Sequence, residues 1–118
     1  MIQDIRRGDI YIVDFDPPKG QELKVGSEIM KRRPAVVMSR NAINRARRTV
    51  MVVPLSSSPA PIEIFAVAVP SAGRQAVAVC DQLTTVNKST RVLNRVGTLA
   101  AADFRAVELG VMDAMGLR

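Results

Sequence analysis

The chain has 118 residues, of which 47% are apolar, and a formal net charge of +6. This length supports one hydrophobic core and is short for two, so we predict a single domain over residues 1–118. The charge favours a polyanionic partner such as nucleic acid or an acidic protein segment. Aromatic residues make up only 3%, which argues against a surface that stacks successive bases on aromatic rings.

The composition also restricts chemistry and location. There is no His, so acid–base chemistry must use carboxylates, hydroxyls, Lys or Arg. The one cysteine, Cys80, can form neither an internal disulfide nor a zinc site, which fits a reducing cytoplasm. Neither a secretory signal pattern nor an apolar run approaching about 18 residues is present, so we expect neither secretion nor membrane insertion. We also expect that the protein uses no cofactor.

The N-terminal part predicts two strands separated by a long loop. Residues 10–15 alternate in β-favouring types and are stopped by Pro17 and Pro18. Residues 34–39 are apolar enough for a strand buried on both faces. Because Pro34 biases the preceding residue towards an extended conformation, Arg33 is expected at the junction of loop and strand, a stiff position for presenting a guanidinium to a phosphate.

The rest of the chain predicts further short strands and a terminal helix. Residues 41–48 can form a helical turn, and residues 81–86 follow a bend after an apolar run. Further strands are predicted at residues 49–55, 62–69, 75–80 and 95–99. The helix spans residues 100–115, with an apolar stripe at Phe104, Val107, Val111 and Met115. We therefore predict an α+β protein, mainly β, with a small curled β-barrel and a C-terminal helix.

The absence of His and of a metal cluster excludes many classes of enzyme. A reaction in which the substrate supplies its own nucleophile is still compatible with this sequence. RNA is such a substrate, because its 2′-hydroxyl adjoins the scissile phosphorus. Arg33 and a hydroxyl at Ser56 or Ser57 could stabilise charge on the phosphoryl oxygens, and a carboxylate could accept the 2′-OH proton. Arg33 could equally be a solvated charge beside a strand, and the serines could serve only a turn. Asp81 could merely cap backbone amides.

Several motifs, in order, resemble the MazF/PemK toxin family over nearly the whole chain. They are Arg7-Gly8-Asp9-Ile10, Val13-Asp14-Phe15-Asp16-Pro17, Gly26-Ser27-Glu28, Arg33-Pro34-Ala35-Val36-Val37, Val52-Val53-Pro54-Leu55-Ser56-Ser57, Cys80-Asp81-Gln82 and Gly97-Thr98-Leu99. The resemblance implies an SH3-like barrel of the CcdB/PemK type. It also implies a homodimeric bacterial toxin that is a metal-independent, sequence-specific endoribonuclease, an mRNA interferase that leaves a 2′,3′-cyclic phosphate and a 5′-hydroxyl.

The resemblance assigns catalytic roles to four residues. Arg33 matches the family's catalytic Arg, and Ser56 matches a catalytic Thr. Glu28 matches the Glu of the Gly-Ser-Glu loop, and Asp81 matches the base of the PemK/Kid branch. The residues that we expect to bind RNA are Ser57, Lys31, Arg32, Lys24, Gln82 and Arg91.

This sequence departs from the PemK/Kid branch at two positions. That branch has an Arg two residues before the Asp, where this chain has Val79, and a His before the loop Glu, where this chain has Ser27. The identity of the base therefore stays open between Glu28 and Asp81. Glu22, in Gly20-Gln21-Glu22, also matches the loop motif, but only Glu28 has the family's spacing along the sequence from Arg33-Pro34.

The expected partners are single-stranded RNA and a cognate antitoxin with an acidic, disordered segment, with DNA reached only through the antitoxin complex. One alternative is a non-enzymatic, CcdB-like gyrase poison. Residues 112–118 contain no aromatic residue, unlike the tail of that group, which counts against this alternative. Another is a non-catalytic nucleic-acid-binding barrel, which has no need of the Glu28 to Arg33 spacing.

Overall fold

The structure is a computed structural model, and it describes residues 4–16, 31–57 and 65–118. Its strands are β1 (Asp9–Asp14), β2 (Arg32–Val37), β3 (Thr49–Ser56), β4 (Ala66–Ala68), β5 (Val77–Val79), β6 (Thr84–Asn87) and β7 (Val92–Thr98). Its helices are α1 (Asn41–Ala46), α2 (Lys88–Arg91) and α3 (Ala101–Ala114). Two 3₁₀ turns, Pro70–Ala72 and Cys80–Gln82, flank β5. None of the helices in these ranges is long and apolar enough to cross a membrane.

The strands form one antiparallel sheet in the order β4-β5-β3-β2-β1-β7, and β6 pairs with the first half of β3. Within the described residues, the terminal strands β4 and β7 are not paired with each other, so the sheet is curled and open. The predicted α+β class, mainly β with a C-terminal helix, is confirmed. Within the strands predicted at residues 62–69 and 75–80, β4 and β5 pair as an antiparallel hairpin around the turn that begins at Pro70.

The central strands are buried on both faces, as the apolar run after Pro34 predicted. In β2, Ala35 and Val37 pack in one cluster, while Val36 packs in a second cluster beneath α3, and all three are fully buried. The sheet therefore has one core cluster on each face, and the short side chains of Val and Ala allow both clusters to pack closely against it.

Helix α3 packs on the second core through fewer residues than the apolar stripe predicted. Val107 is fully buried, but Met115 is 59% exposed. The helix ends at Ala114, so Met115 is the C-cap residue, and the chain then turns at Gly116, which has a φ of 73°. The prediction that Met115 belongs to the buried stripe is therefore wrong.

The Arg7-Gly8-Asp9 motif joins the start of β1 to its neighbours. Arg7 donates to the Met38 carbonyl and to the Glu108 carboxylate, and its guanidinium lies 4.8 Å from the centre of the Phe104 ring. Gly8 has a φ of 94°, a conformation that favours glycine. These contacts give the motif a structural role, because they fix α3 against the sheet that carries the candidate site.

Candidate active site

The pairing of β2 with β3 stops where both strands contain proline. Their register runs from Val37 opposite Val52 to Ala35 opposite Pro54. Neither Pro34 nor Pro54 has an N–H to donate, so the ladder loses donors on both strands at this point. The ends of β2 and β3 beyond this point can therefore separate and leave an opening at one end of the two central strands.

Arg33 and Ser56 lie at this opening. Continuing the register by two residues sets Arg33 opposite Ser56, and both side chains line the same groove, which has a volume of about 180 Å³. Both residues are half-buried. On its other side Arg33 pairs with Val13 of β1, so it lies between two neighbouring strands. The sequence prediction that Arg33 lies at the start of a strand is confirmed.

The groove has a second wall, formed by the turn before β5. Ser56, the last residue of β3, pairs with Val77. The residues that precede Val77 therefore run past the end of β3 and face the opening. Those that line the groove here are Ala72, Gly73, Arg74, Gln75 and Ala76. Arg74 and Gln75 are exposed and were not among the predicted site residues. The available signal was a charged and an amide side chain directly after a Pro-Ser-Ala-Gly turn.

Asp81 does not line this groove. It is an exposed residue of the Cys80–Gln82 turn, roughly 10 Å from the Ser56–Val77 pair by the rise of a strand. Its charge acts instead on its neighbour Cys80. Burial, together with smaller contributions from the negative charges of Asp81 and Asp113, raises the pKa of the Cys80 thiol to about 11. Within one chain, Asp81 and Gln82 are thus separated from Arg33 and Ser56.

The other predicted residues divide into three groups. Ser57 lines the groove next to Ser56 and is exposed. Lys31, Arg32 and Arg91 gather where β1 ends and β2 begins. Lys24 and Glu28 lie outside the described residues, as does Glu22.

The basic group at the end of β1 is held by contacts with that strand. The backbone N–H of Lys31 donates to the carboxylate of Asp16, two residues beyond the end of β1, at 2.5 Å. The Nε of Arg32 lies 3.9 Å from the Asp14 carboxylate, and Arg91 donates to the Asp14 carbonyl at 3.0 Å. Lys31 and Arg32 are exposed, so they extend the positive surface beside Arg33.

The groove can stabilise negative charge. Arginine offers planar, permanently charged donors that match phosphate oxygens, and a serine hydroxyl adds a rotatable donor. Within residues 4–16, 31–57 and 65–118, no group of three or more Cys, Asp and Glu side chains is placed to hold a metal ion. The guanidinium of Arg33 and the hydroxyl of Ser56 are a donor set that suits a phosphodiester.

Comparison with known proteins gives consistent results. A family profile described as "PemK-like, MazF-like toxin of type II toxin-antitoxin system" matches residues 6–115. The chain is 31% identical over 113 residues to "Endoribonuclease MazF9" of Mycobacterium tuberculosis, covering 88% of this chain and 90% of that protein.

Two solved structures share the fold. The crystal structure of MazF from Deinococcus radiodurans superposes with a TM-score of 0.79 at 22% identity, covering 95% of this chain and 96% of that one. A mycobacterial endoribonuclease in complex with its cognate antitoxin gives a TM-score of 0.72 at 22% identity, covering 99% of this chain and 98% of that one. With the family profile matching almost the whole chain, this protein belongs to the PemK-like, MazF-like toxins of type II toxin–antitoxin systems.

Proposed function

We propose that this protein is an endoribonuclease toxin that cleaves single-stranded RNA within its sequence, at specific sites, by attack of the 2′-hydroxyl on the adjacent phosphorus. The observation that carries the proposal is that Arg33 and Ser56 line one groove from neighbouring strands. Membership of the toxin family and the name of the mycobacterial relative support it.

In this reaction the substrate supplies the nucleophile. The 2′-oxygen forms a bond to phosphorus as the bond from phosphorus to the 5′-oxygen breaks, which leaves a 2′,3′-cyclic phosphate and a 5′-hydroxyl. Negative charge grows on the non-bridging oxygens in the transition state. The guanidinium of Arg33 and the hydroxyl of Ser56 would donate to those oxygens, and a fixed donor stabilises this charge without reorganising.

The proton of the 2′-OH requires a base, and the leaving 5′-oxygen requires a proton. Arg33 is an unsuitable base or acid because a guanidinium group keeps its proton in proteins. We assign the base to a carboxylate, Glu28 or Asp81. Because Asp81 is separated from the groove within one chain, Glu28 is the stronger candidate.

The proposal extends to partners and location. A chain with a net charge of +6 suits a cognate antitoxin that has an acidic, disordered segment. The complex solved for the mycobacterial endoribonuclease supports an antitoxin partner. We further propose that the toxin acts as a homodimer in the cytoplasm and meets DNA only through its antitoxin complex.

The test is cleavage of a long single-stranded RNA by the purified protein in EDTA, followed by mapping of the cut ends. We expect cuts at a recurring short sequence with 5′-hydroxyl ends. Arg33→Ala should lower the rate roughly 10³-fold or more. The matched control is Arg47→Ala, which removes an equal charge at the other end of β3 and should cleave like the wild type.

A failure to cut any RNA would sink the ribonuclease proposal. A DNA gyrase supercoiling assay would then test the protein-directed, CcdB-like alternative. Equal cleavage by Arg33→Ala and Arg47→Ala would place the chemistry elsewhere in the molecule.

A further inference from the structure

The groove carries a second arginine that the catalytic assignment leaves unused. Arg74 lines it from the turn before β5, while Arg33 lines it from β2. Arg7, Arg95 and Arg118 each lie within 4 Å of a carboxylate. Within the described part of the chain, no carboxylate is paired with Arg74 in this way. Its charge is therefore available to an anion that enters the groove.

The turn that carries Arg74 is closed by its own backbone. The Ala76 N–H donates to the Gly73 carbonyl at 3.0 Å, and the Val69 N–H donates to the Ala76 carbonyl at 3.0 Å. Arg74 and Gln75 are thus the two central residues of a tight turn, and both are exposed.

The 3₁₀ turn directly before it, Pro70–Ala72, is fixed to the terminal helix at two points. The Ser71 N–H donates to the Asp103 carboxylate at 2.8 Å, and the Ser71 hydroxyl accepts from the Ala100 N–H at 3.0 Å. Asp103 lies in the first turn of α3, where the helix dipole favours a negative charge. Helix α3 therefore determines where the second wall of the groove stands.

We propose that Arg74 binds a backbone phosphate of the RNA next to the scissile one, and that Asp103 is a positioning residue for the turn that carries it. This inference rests on the ribonuclease function proposed above. Arg33 and Arg74 both line the groove of about 180 Å³, so a phosphodiester chain that enters it lies close to two arginine residues.

The positions of the two arginines predict different roles. Arg33 is half-buried on a strand, beside a hydroxyl, where it can bind the transition state more tightly than the substrate. Arg74 is exposed on a turn and would bind substrate and transition state alike. Such uniform binding lowers KM without raising kcat.

The experiment uses a short RNA containing the mapped cleavage sequence, and a second copy with a 2′-deoxy nucleotide at the cut, which binds but is not cleaved. Arg74→Gln is compared with Arg47→Gln, which removes the same charge far from the groove. We expect Arg74→Gln to raise KM, and the Kd for the uncleaved copy, about fivefold to twentyfold with kcat within about threefold of wild type.

Salt dependence provides a second readout. The slope of log K against log salt should fall by about 0.7 in Arg74→Gln, as expected for one lost phosphate contact with a single strand, and should not change in Arg47→Gln. Arg74→Lys retains the charge and should recover most of the binding and the slope.

The role of Asp103 is tested by coupling. Asp103→Ala should weaken RNA binding, but it should have no further effect in the Arg74→Gln background. Thermal unfolding of each variant separates loss of binding from loss of fold.

Four outcomes would overturn the inference. Arg74→Gln could match Arg47→Gln in Kd and slope while the wild type cleaves, which would refute the Arg74 contact and leave the ribonuclease function intact. A fall in kcat at unchanged KM would make Arg74 catalytic instead. Additive losses in the double variant would refute the positioning role of Asp103, and failure of the wild type to cleave RNA would refute both proposals.

Discussion

Arg33 of β2 and Ser56 of β3 line one groove, two residues beyond the point at which Ala35 pairs with Pro54. Opposite residues on antiparallel strands lie on the same face of the sheet, so their side chains can reach one shared oxygen. Both are half-buried, which limits their motion and partly shields them from water. This arrangement makes the hydroxyl of Ser56 a specific test of the mechanism.

Ser56→Ala should lower kcat for RNA cleavage by roughly 10²-fold to 10³-fold, because one donor to the developing charge is lost. Ser56→Thr keeps the hydroxyl and should retain most of the activity. The matched control is Ser57→Ala, which removes a hydroxyl from the next residue of the same groove and should change KM more than kcat. Equal losses of kcat in Ser56→Ala and Ser57→Ala would refute a distinct role for Ser56.

The position of Asp81 makes the choice of base testable. Because it lies on the Cys80–Gln82 turn and outside the groove, Asp81→Asn should change kcat less than about threefold. Glu28→Gln should lower kcat roughly 10²-fold or more and remove the limb that a carboxylate base contributes to the pH–rate profile. The reverse ranking of the two variants would assign the base to Asp81 and would require a second protomer to bring it to the groove.

Some of this site could be predicted from sequence because its determinants are local. Pro34 fixes the backbone beside Arg33, and a hydroxyl follows directly after the most apolar strand, so both residues were identified as candidates. The apolar run after Pro34 likewise predicted burial on both faces, which the two core clusters confirm.

The remainder depends on long-range contacts that leave no local pattern. The second wall of the groove stands where it does because Ser71 is bonded to Asp103, 32 residues later, so Arg74 was missed. The bend at Cys80–Gln82 is set by packing against α3, which is why the separation of Asp81 from Ser56 was not foreseen.

Close packing of α3 on the Cys80–Gln82 turn gives a prediction for Gly110. A Cβ at this position would lie 2.6 Å from the Cys80 Sγ and 2.9 Å from the Val67 Cγ2. Gly110→Ala should therefore destabilise the fold by up to about 2 kcal/mol, because an overpacking cost of about 1–3 kcal/mol is offset by only about 1 kcal/mol of better helix propensity. The free energy of unfolding in urea measures this cost.

Two further variants isolate the clash. In the Cys80→Ala background, Gly110→Ala should cost at least about 0.5 kcal/mol less, because the nearest contact is gone. Gly97→Ala serves as the control glycine, since a Cβ there would meet nothing within 4 Å and should leave stability nearly unchanged. Full additivity of Cys80→Ala and Gly110→Ala would rule out the Sγ contact as the cause.

The buried thiol of Cys80 predicts a loss of stability at alkaline pH. Burial raises its pKa from 9.0 to about 11, so between these values the unfolded chain has released the thiol proton while the folded chain still holds it. Unfolding then releases a proton, and stability falls as pH rises, by about 1.4 kcal/mol for each unit of pKa difference and about 3 kcal/mol at most. Below about pH 8 the thiol is almost entirely neutral in both states and contributes little pH dependence.

Tyr11 acts in the same direction at higher pH, because burial and the charge of Asp9 raise the pKa of its phenol above 10.0. Urea unfolding at pH 8, 9, 10 and 10.5 should therefore show a decline in the wild type that is shallower in Cys80→Ala and shallower still when Tyr11→Phe is added. The slope with pH is the readout, since Cys80→Ala also lowers stability at every pH by removing a buried group. Parallel slopes in the wild type and Cys80→Ala would show that the thiol titrates alike in both states, and would exclude it as the source of alkaline sensitivity.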